Sequence, residues 1–220
     1  LQVHLQFPST LVVQMVVEGD YIFVSKFTYG YSKYSFPFGI IDFKGRLFQK
    51  NRLERGDIIV FRYPQNPRIN YIKRLVGLPG DKIQMIDGIL YINDKIAKKE
   101  YKGSYKLPTT MHLDIVTTMD SIDKYAETLP NGKTYDILDS RFKIEMDNTD
   151  IFIVPAKHYF FLGDNRDNSQ DSRFLDLTGF VPEENIVGKA QIIFLSSSKP
   201  IWHFWSFYSM FRWNRFFKKV

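Results

Sequence analysis

Short apolar runs separated by polar turns dominate this chain. Residues 21–24 and 58–61 are apolar runs that each follow a Gly-Asp turn, and residues 11–17 form a further run. Runs of this length, rich in β-branched and aromatic residues, are typical of strands, whereas no stretch before residue 200 has the period of an amphipathic helix. The pattern therefore predicts a mostly β fold.

Turn chemistry predicts how some of these strands are connected. Asp87-Gly88 lies between the apolar runs 82–86 and 89–93, and an Asp-Gly pair suits a two-residue hairpin turn. Residues 130–133 predict a second hairpin turn, and residues 64–67 predict a loop. Core-like apolar runs return at residues 151–154, 159–162 and 186–195.

The segment between residues 96 and 150 differs in character from its surroundings. It is polar, rich in Lys, Thr and Asp, and only weakly periodic. We therefore expect residues 96–150 to be a subdomain inserted into a β core formed by residues 1–95 and 151–200. Residues 201–220 are aromatic and basic, which predicts either a packed terminal helix or an interfacial segment with rings at headgroup depth.

Composition excludes several kinds of chemistry. The chain has no cysteine, so disulfides, a thiol nucleophile and a Cys-ligated metal are excluded, and its four histidines show no metal-ligand spacing. The formal charge of +6 suits nucleic acid, anionic lipid or neither. No stretch reaches the length of a membrane-spanning helix, and no cleavable targeting signal is visible. Because the chain opens on Leu1 rather than Met, we expect it to be a fragment that lacks an upstream segment.

A lysine lies in the middle of an apolar, strand-like run. Lys73 is flanked by residues 71–72 and 75–78, and the run ends at the turn 79–81. Burial lowers the pKa of a lysine, and a shift of about three units would make its neutral amine a general base near neutral pH. The alternative is that Lys73 faces water, in which case Arg74, the next residue of the strand, faces inward. On this stretch alone, the solvent-facing interpretation is favoured.

A second polar cluster follows the predicted strand at 159–162. Residues 163–173 combine three aspartates, two arginines and two serines. A solvated loop would explain this composition. Alternatively, the loop supplies hydroxyls and carboxylates to a catalytic group: a serine hydroxyl would orient a neutral lysine amine, and Asp164 would pair with Arg74.

The motifs at 71–81 and 163–173 together resemble bacterial type I signal peptidase. Segments 19–26 and 54–61 resemble further strands of that family, and the similarity extends from about residue 5 to 195. The resemblance implies a barrel- or sandwich-like catalytic β core with an inserted β-rich subdomain. It implies a membrane-bound serine endopeptidase that cleaves signal peptides from exported preproteins by a Ser–Lys dyad, without a metal or an organic cofactor. It also implies the bacterial cytoplasmic membrane, with the catalytic domain on the outer, periplasmic face.

The resemblance implies roles for individual residues as well. Lys73 matches the family's general base, and Ser169 matches the serine that hydrogen-bonds this lysine. The residues expected to support the site are Arg74, Asp164, Arg166, Asp171 and Arg173. The expected partners are the C-regions of signal peptides, bound as an added β-strand, and membrane lipid.

The nucleophile segment departs from the family pattern. The family places its serine nucleophile in a Pro-Ser-x-Ser-Met-x-Pro-Thr-like segment, where this chain has residues 8–15. Ser9 matches the family's first serine, which helps to form the oxyanion hole, and Leu11 occupies the nucleophile position. A leucine cannot attack a carbonyl. Three explanations are open: a segment translated in the wrong frame, an inactive protein, or Ser9 or Thr10 as the replacement nucleophile.

Two other functions compete with peptidase activity. A catalytically impaired homologue would keep the peptide-binding groove and lose the chemistry because of Leu11. A basic β-barrel would bind nucleic acid through aromatic and basic residues on one exposed face. The two matched motifs argue against the second alternative, so we expect no nucleic-acid partner.

Overall fold

A computed structural model describes most of the chain. The residue ranges that it describes are 2–3, 19–35, 45–48, 51–106, 121–140, 145–197 and 211–220. The apolar run at 11–17 and the residues Ser9, Thr10 and Leu11 lie outside these ranges. So do parts of the predicted insertion and of the C-terminal segment.

The described residues are mostly in strands, which confirms the predicted fold class. The strands are β1 (Gln2–Val3), β2 (Asp20–Ser25), β3 (Ile58–Tyr63), β4 (Asn66–Gly77), β5 (Lys82–Ile86), β6 (Ile89–Ile92), β7 (Lys95–Ile96), β8 (Lys98–Lys106), β9 (Ser121–Thr128), β10 (Thr134–Asp139), β11 (Phe152–Ile153), β12 (His158–Leu162), β13 (Val181–Pro182), β14 (Ile186–Ser196) and β15 (Lys218–Lys219). Single 3-10 turns lie at Lys33–Ser35, Glu145–Asp147, Glu183–Asn185 and Trp213–Arg215.

The strands form three sheets. An eight-stranded sheet has the order β1-β2-β14-β3-β4-β12-β13, and β15 pairs with β14. A four-stranded sheet has the order β11-β5-β6-β7, and a three-stranded sheet has the order β10-β9-β8. Strand β4, which carries Lys73, pairs with β3 on one side and with β12 on the other, both antiparallel. Lys73 therefore lies on an interior strand of the largest sheet.

Both predicted hairpins form at the expected turns. Strands β5 and β6 turn at Asp87 and Gly88, whose φ values are 49° and 72°. Positive φ at both positions is what a two-residue turn of this kind requires. Strands β9 and β10 turn at residues 130–133.

The predicted loop at 64–67 is wrong in part, because β4 begins earlier than its apolar run. Asn66 already pairs with Tyr63 across a tight turn. The polar first half of β4 therefore extends the strand beyond the end of β12. The described pairs between β12 and β4 are those of Arg74, Leu75 and Gly77.

Apolar side chains from all three sheets share a buried cluster. The cluster joins strands β4, β5, β6 and β12 to the β9–β10 hairpin. Its members include Ile83, Leu90, Ile137 and Phe160. The three-stranded sheet is thus packed against the other two through a common core. The division into a core at 1–95 and 151–200 and an insertion at 96–150 stays a prediction.

Strand β10 is also attached to the polar loop at 163–173. Leu138 forms an isolated parallel bridge with Asn165. The backbone N–H of Leu138 donates to the carbonyl of Asp164 at 2.8 Å, and its carbonyl accepts from the N–H of Arg166 at 2.8 Å. The three-stranded sheet therefore holds this loop through main-chain hydrogen bonds.

The C-terminal segment is described from residue 211 onward. Its 3-10 turn leads into β15, which pairs with Ile192 and Ile193 of β14. A terminal helix, one of the two predictions for this segment, is not present within residues 211–220 beyond that single turn. Trp213 and Phe217 are 50% and 74% exposed. Over the described ranges, no helix combines the length and the apolar character needed to cross a membrane.

Candidate active site

The side chain of Lys73 is buried. Lys73 pairs with Ile59 of β3 and is 5% exposed. Its Nζ atom lies 2.7 Å from Oγ of Ser169. The side chain of Arg74 points to the opposite face of the strand and is also 5% exposed, so both faces of β4 are covered here. The interpretation in which Lys73 faces water is therefore wrong.

Burial lowers the pKa of Lys73 to about 8. Loss of hydration is the main cause, because it disfavours the charged ammonium. The Asp171 carboxylate opposes the shift, the Arg173 guanidinium adds to it, and the Asp164 carboxylate opposes it. At pH 8 about half of the amine is then neutral, and the neutral amine is the form that a general base needs.

Arg74 and Asp164 form a buried ion pair with two contacts. Nε of Arg74 donates to Oδ1 of Asp164, and Nη2 donates to Oδ2, each at 2.7 Å. Nη1 donates to the carbonyl of Gly56 at 2.8 Å. The predicted pair is present, and it ties β4 to the start of the 163–173 loop. Paired hydrogen bonds of this kind fix orientation as well as distance.

A second ion pair lies at the end of the same loop. Arg173 donates to Asp171 from Nε and from Nη2, each at 2.9 Å. Asp171 also accepts the backbone N–H of Gly163 at 3.0 Å. Burial by itself would raise the pKa of Asp171, but Arg173, Lys73 and the N–H of Gly163 together outweigh this and hold the pKa below its usual range. The two ends of the loop are thus joined, with Ser169 between them.

Gly163 leaves the space that Ser169 occupies. A Cβ atom at position 163 would lie 1.9 Å from Oγ of Ser169 and 2.3 Å from its Cβ. Glycine is the residue that permits such a close approach. The position of the hydroxyl beside Lys73 therefore depends on the absence of a side chain at position 163.

Two tyrosines extend the site along β3 and β4. The rings of Tyr63 and Tyr71 stack with 4.6 Å between their centroids. The hydroxyl of Tyr71 donates to Oε1 of Gln170 at 3.2 Å, and Nε2 of Gln170 donates to the hydroxyl of Tyr63 at 3.3 Å. Because Gln170 directly follows Ser169, these bonds hold the loop against the sheet next to the Lys73 amine.

Two residues of the site were missed by the sequence analysis. Glu127 of β9 forms a salt bridge with Arg166, and both side chains are almost fully buried. Tyr135 of β10 donates its hydroxyl to Glu127 at 2.5 Å. Both residues come from the polar segment with weak periodicity. The sequence does show an acidic residue and a tyrosine on either side of a predicted hairpin turn. This pattern does not show which way the two side chains point.

Among the described residues, one group of three buried carboxylates could hold a metal ion. Asp139, Asp147 and Asp167 each bring one oxygen within 4.8 Å of the others. The Nζ atom of Lys99 contacts Asp139 and donates to the carbonyl of Gly88 at 3.3 Å. Burial raises the pKa of Asp139 to about 6, while Lys99 opposes and Asp167 reinforces the shift. Lys99 thus already supplies a positive charge to this group.

Comparison with known proteins identifies the family. A family model described as signal peptidase, peptidase S26, matches residues 3–195. Signal peptidase I of Rickettsia akari (strain Hartford) is 47% identical over 205 residues, and that of Rickettsia felis (strain ATCC VR-1525 / URRWXCal2) is 47% identical over 203 residues. Each match covers 89% of this chain and 72% of the relative. A crystal structure of a signal peptidase I from Enterococcus faecalis V583 is 27% identical, with a TM-score of 0.35, and the match covers 63% of this chain and 97% of that one.

The family model and the two Rickettsia relatives show that the chain is a serine endopeptidase. It belongs to the signal peptidase family, peptidase S26. The family predicted from the motifs at 71–81 and 163–173 is therefore confirmed. Ser9 and Leu11, the two positions considered for the nucleophile, lie outside the described ranges.

Replacing Lys73 by Met should stabilise the fold at neutral pH. Below pH 8 the Lys73 amine is protonated in both the folded and the unfolded state. The folded state then carries the full free-energy cost of burying this charge, about 3 kcal/mol. Between pH 8 and the ordinary pKa of 10.5, the unfolded state keeps a proton that the folded state has lost, so this cost disappears as pH rises. We therefore expect a gain of up to about 3 kcal/mol at pH 7 that vanishes by pH 10.5.

Urea unfolding at both pH values measures this gain. Lys98→Met, at an exposed position, controls for the loss of a lysine. A gain that is the same at both pH values would mean that the Lys73 amine is hydrated in the folded protein.

An alanine at position 163 should displace Ser169 from Lys73. The added methyl overlaps the Ser169 hydroxyl, so the loop must shift, and overpacking of this kind costs about 1–3 kcal/mol. We expect hydrogen–deuterium exchange to accelerate at residues 164–172 and to stay unchanged in β5 and β6. Gly132→Ala is the control for strain outside the loop: the space around this glycine is open, but its φ of 83° disfavours alanine, so the variant strains the β9–β10 turn without touching Ser169. Equal exchange of the loop in the parent and in Gly163→Ala would contradict this packing.

Proposed function

We propose that this protein removes signal peptides from exported preproteins, with Lys73 as the general base. The observation that carries the proposal is the buried Lys73 amine, with its pKa lowered to about 8 and its Nζ atom 2.7 Å from Ser169, in a chain of the signal peptidase family. Ser169 orients the amine toward the nucleophile. The residues that hold the surrounding loop and strand in place are Arg74, Asp164, Arg166, Asp171 and Arg173.

The reaction has two halves. In the first, the nucleophile gives its proton to Lys73 and bonds to the scissile carbonyl carbon, and the amine product leaves with a proton from the Lys73 ammonium. In the second, water gives a proton to Lys73, attacks the acyl carbon and frees the nucleophile, which regains a proton from Lys73. A pKa near 8 lets the same amine accept and return a proton close to neutral pH.

Within the described part of the chain, the edge of β4 beside Lys73 has no partner strand, which supports binding of an extended peptide. Strand β4 pairs with β3 on one side through Asn66 and residues 70–72. Among the described residues, the pairs of β12 with the other side of β4 begin at Arg74. An extended segment adds to such an edge through main-chain hydrogen bonds. We propose that the signal-peptide C-region adds to this edge, with its small residues in two shallow pockets and its scissile bond near Lys73.

The proposal includes action at the outer face of the bacterial cytoplasmic membrane. The exposed rings of Trp213 and Phe217 lie in the same short segment as the exposed cations Lys218 and Lys219. Aromatic rings favour headgroup depth, and basic side chains favour anionic lipid. This segment therefore supports contact with a lipid surface in addition to the peptide substrate.

A second candidate function is a peptide-binding homologue with impaired catalysis. It is favoured by Leu11, which occupies the position where the family has its nucleophilic serine. Such a protein would keep the strand edge beside Lys73 and lack the hydroxyl that attacks the carbonyl.

The parent chain should cleave a signal-peptide substrate little or not at all, and Leu11→Ser should restore at least part of the activity. Lys73, Ser169 and the loop carboxylates are present, and loss of one member of a catalytic unit removes nearly all the benefit of the others. Ser9 would replace the missing serine only if the segment slid by two residues, about 6–7 Å along a strand. The measurement compares the parent, Leu11→Ser and Ser9→Ala on a fluorogenic peptide with Ala at both small-residue positions.

The outcomes separate the candidates. Cleavage by the parent that Ser9→Ala abolishes would identify Ser9 as the nucleophile and overturn the alignment of this segment. A silent Leu11→Ser variant that still binds the peptide would favour the impaired homologue. Leu11→Ala, which shortens the side chain without adding a hydroxyl, is the matched control and should match the parent.

Removing residues 200–220 should weaken binding to anionic vesicles and make the remaining binding more sensitive to salt. Co-sedimentation with phosphatidylglycerol-containing vesicles at low and high salt measures this. Lys218→Glu with Lys219→Glu should weaken binding in the same direction, because it reverses two exposed charges. Lys95→Glu with Lys98→Glu makes the same charge change on β7 and β8 and is the control. Equal sedimentation of the truncated and full chains would rule out a lipid-binding tail.

A further inference from the structure

A buried group of charged and aromatic side chains connects the three-stranded sheet to the Lys73 strand. Glu127 is 0% exposed and Arg166 is 2% exposed, and Nη2 of Arg166 contacts Oε2 of Glu127. The hydroxyl of Tyr135 donates to the same Glu127 oxygen at 2.5 Å. One carboxylate oxygen on β9 therefore holds both an arginine of the 163–173 loop and a tyrosine of β10.

The ring of Tyr135 carries this connection on to β4. The guanidinium carbon of Arg74 lies 3.8 Å from the ring centroid, within the range of a cation–π contact. Arg74 in turn binds both carboxylate oxygens of Asp164. Burial, reinforced by Glu127, raises the pKa of Tyr135 well above its usual range, which keeps the hydroxyl protonated as a donor. Tyr135 thus orients the residue next to Lys73 in the chain.

Arg166 also controls the end of the loop that presents Ser169. Nη2 of Arg173 donates to the backbone carbonyl of Arg166 at 2.5 Å. Arg173 binds Asp171, and Asp171 accepts the N–H of Gly163, whose lack of a side chain makes room for Ser169. A displacement of Arg166 is therefore passed to both ends of the loop.

We propose that Glu127 and Tyr135 are positioning residues for the Lys73–Ser169 pair. Through Arg166 and Arg74 they hold the loop and the strand so that the hydroxyl covers the amine and water is excluded. Neither residue touches the reacting atoms. The inference rests on the proposed function in one respect, because it takes the Lys73 amine as the group whose environment matters.

The Arg166–Glu127 pair is sensitive to the loss of either partner. Within the described residues, Nε and Nη1 of Arg166 and Oε1 of Glu127 are buried without a hydrogen-bond partner. Removing one member of a buried ion pair leaves an uncompensated charge, which moves toward water or toward another carboxylate. The charge of Asp139 already acts on Arg166, so this carboxylate is an alternative partner. Either movement opens the loop over Lys73.

The test measures the reactivity of Lys73 rather than peptide cleavage, so it does not depend on Leu11. The full chain is treated with limiting acetic anhydride over a range of pH, and acetylation of Lys73 is quantified by mass spectrometry. The variants are Glu127→Gln, which removes the charge and keeps the shape, and Tyr135→Phe, which keeps the ring and removes the hydroxyl. Ile137→Ala is the control: it removes a buried apolar side chain from β10, and no part of the charged group.

All variants are compared at a temperature at which circular dichroism shows each to be folded. We expect a midpoint near pH 8 in the parent, and a midpoint at least one unit higher in Glu127→Gln, because the neutral fraction of the amine is then about tenfold lower at a given pH below 8. Tyr135→Phe should shift the midpoint in the same direction by less. Ile137→Ala should lose thermal stability and leave the midpoint unchanged.

Two results would overturn the inference. An unchanged midpoint in Glu127→Gln would show that the pair does not position the amine, and Tyr135→Phe decides the question in the same way if Glu127→Gln does not fold. An equal shift in Ile137→Ala would show that lost stability, rather than lost positioning, opens the site. A parent midpoint near that of an ordinary lysine would instead overturn Lys73 as the proposed base, and the inference with it.

Discussion

The removal of the Lys73 amine from water is the constraint on which the rest of this structure depends. A carboxylate bound directly to a buried lysine would restore its charge and raise its pKa. Here the group at 2.7 Å is the Ser169 hydroxyl, while Asp164 and Asp171 are bound by Arg74 and Arg173. The two arginines thus keep the neighbouring carboxylates away from the amine. Their pairing is a condition for a lysine whose pKa is lowered to about 8, and not simply a source of stability.

Three buried ion pairs surround this lysine, and each joins different parts of the chain. Arg74–Asp164 joins β4 to the loop, Arg166–Glu127 joins the loop to β9, and Arg173–Asp171 closes the loop on itself. Buried pairs cost much of their Coulombic gain in lost hydration, so they are weak evidence for stability. Their strict geometry instead selects one arrangement of the loop, and a general base needs such an arrangement because proton transfer requires hydrogen-bond distances.

Features that depend on neighbouring residues could be predicted from this sequence, whereas features that depend on packing between distant segments could not. The Asp87-Gly88 turn and the strand at 58–61 were predicted, because turn chemistry and β-propensity act over a few residues. The start of β4 at Asn66 was missed, because its polar residues join the sheet through pairing with β3 and not through their own propensity. Glu127 was missed because the face of a strand that becomes buried depends on which other segments pack against the sheet.

The sequence by itself determined the family, the mostly β fold and the two segments that meet at the site, because motifs, turns and alternation are written in neighbouring residues. The strand by itself favoured Arg74 facing the interior and Lys73 facing water. Tertiary structure decided that both face the interior, since the loop at 163–173 and the three-stranded sheet cover both faces of β4. Whether water reaches the Lys73 amine depends on all the residues that pack around it. Here the strand that carries Lys73 and the loop that covers it are separated by about ninety residues in sequence.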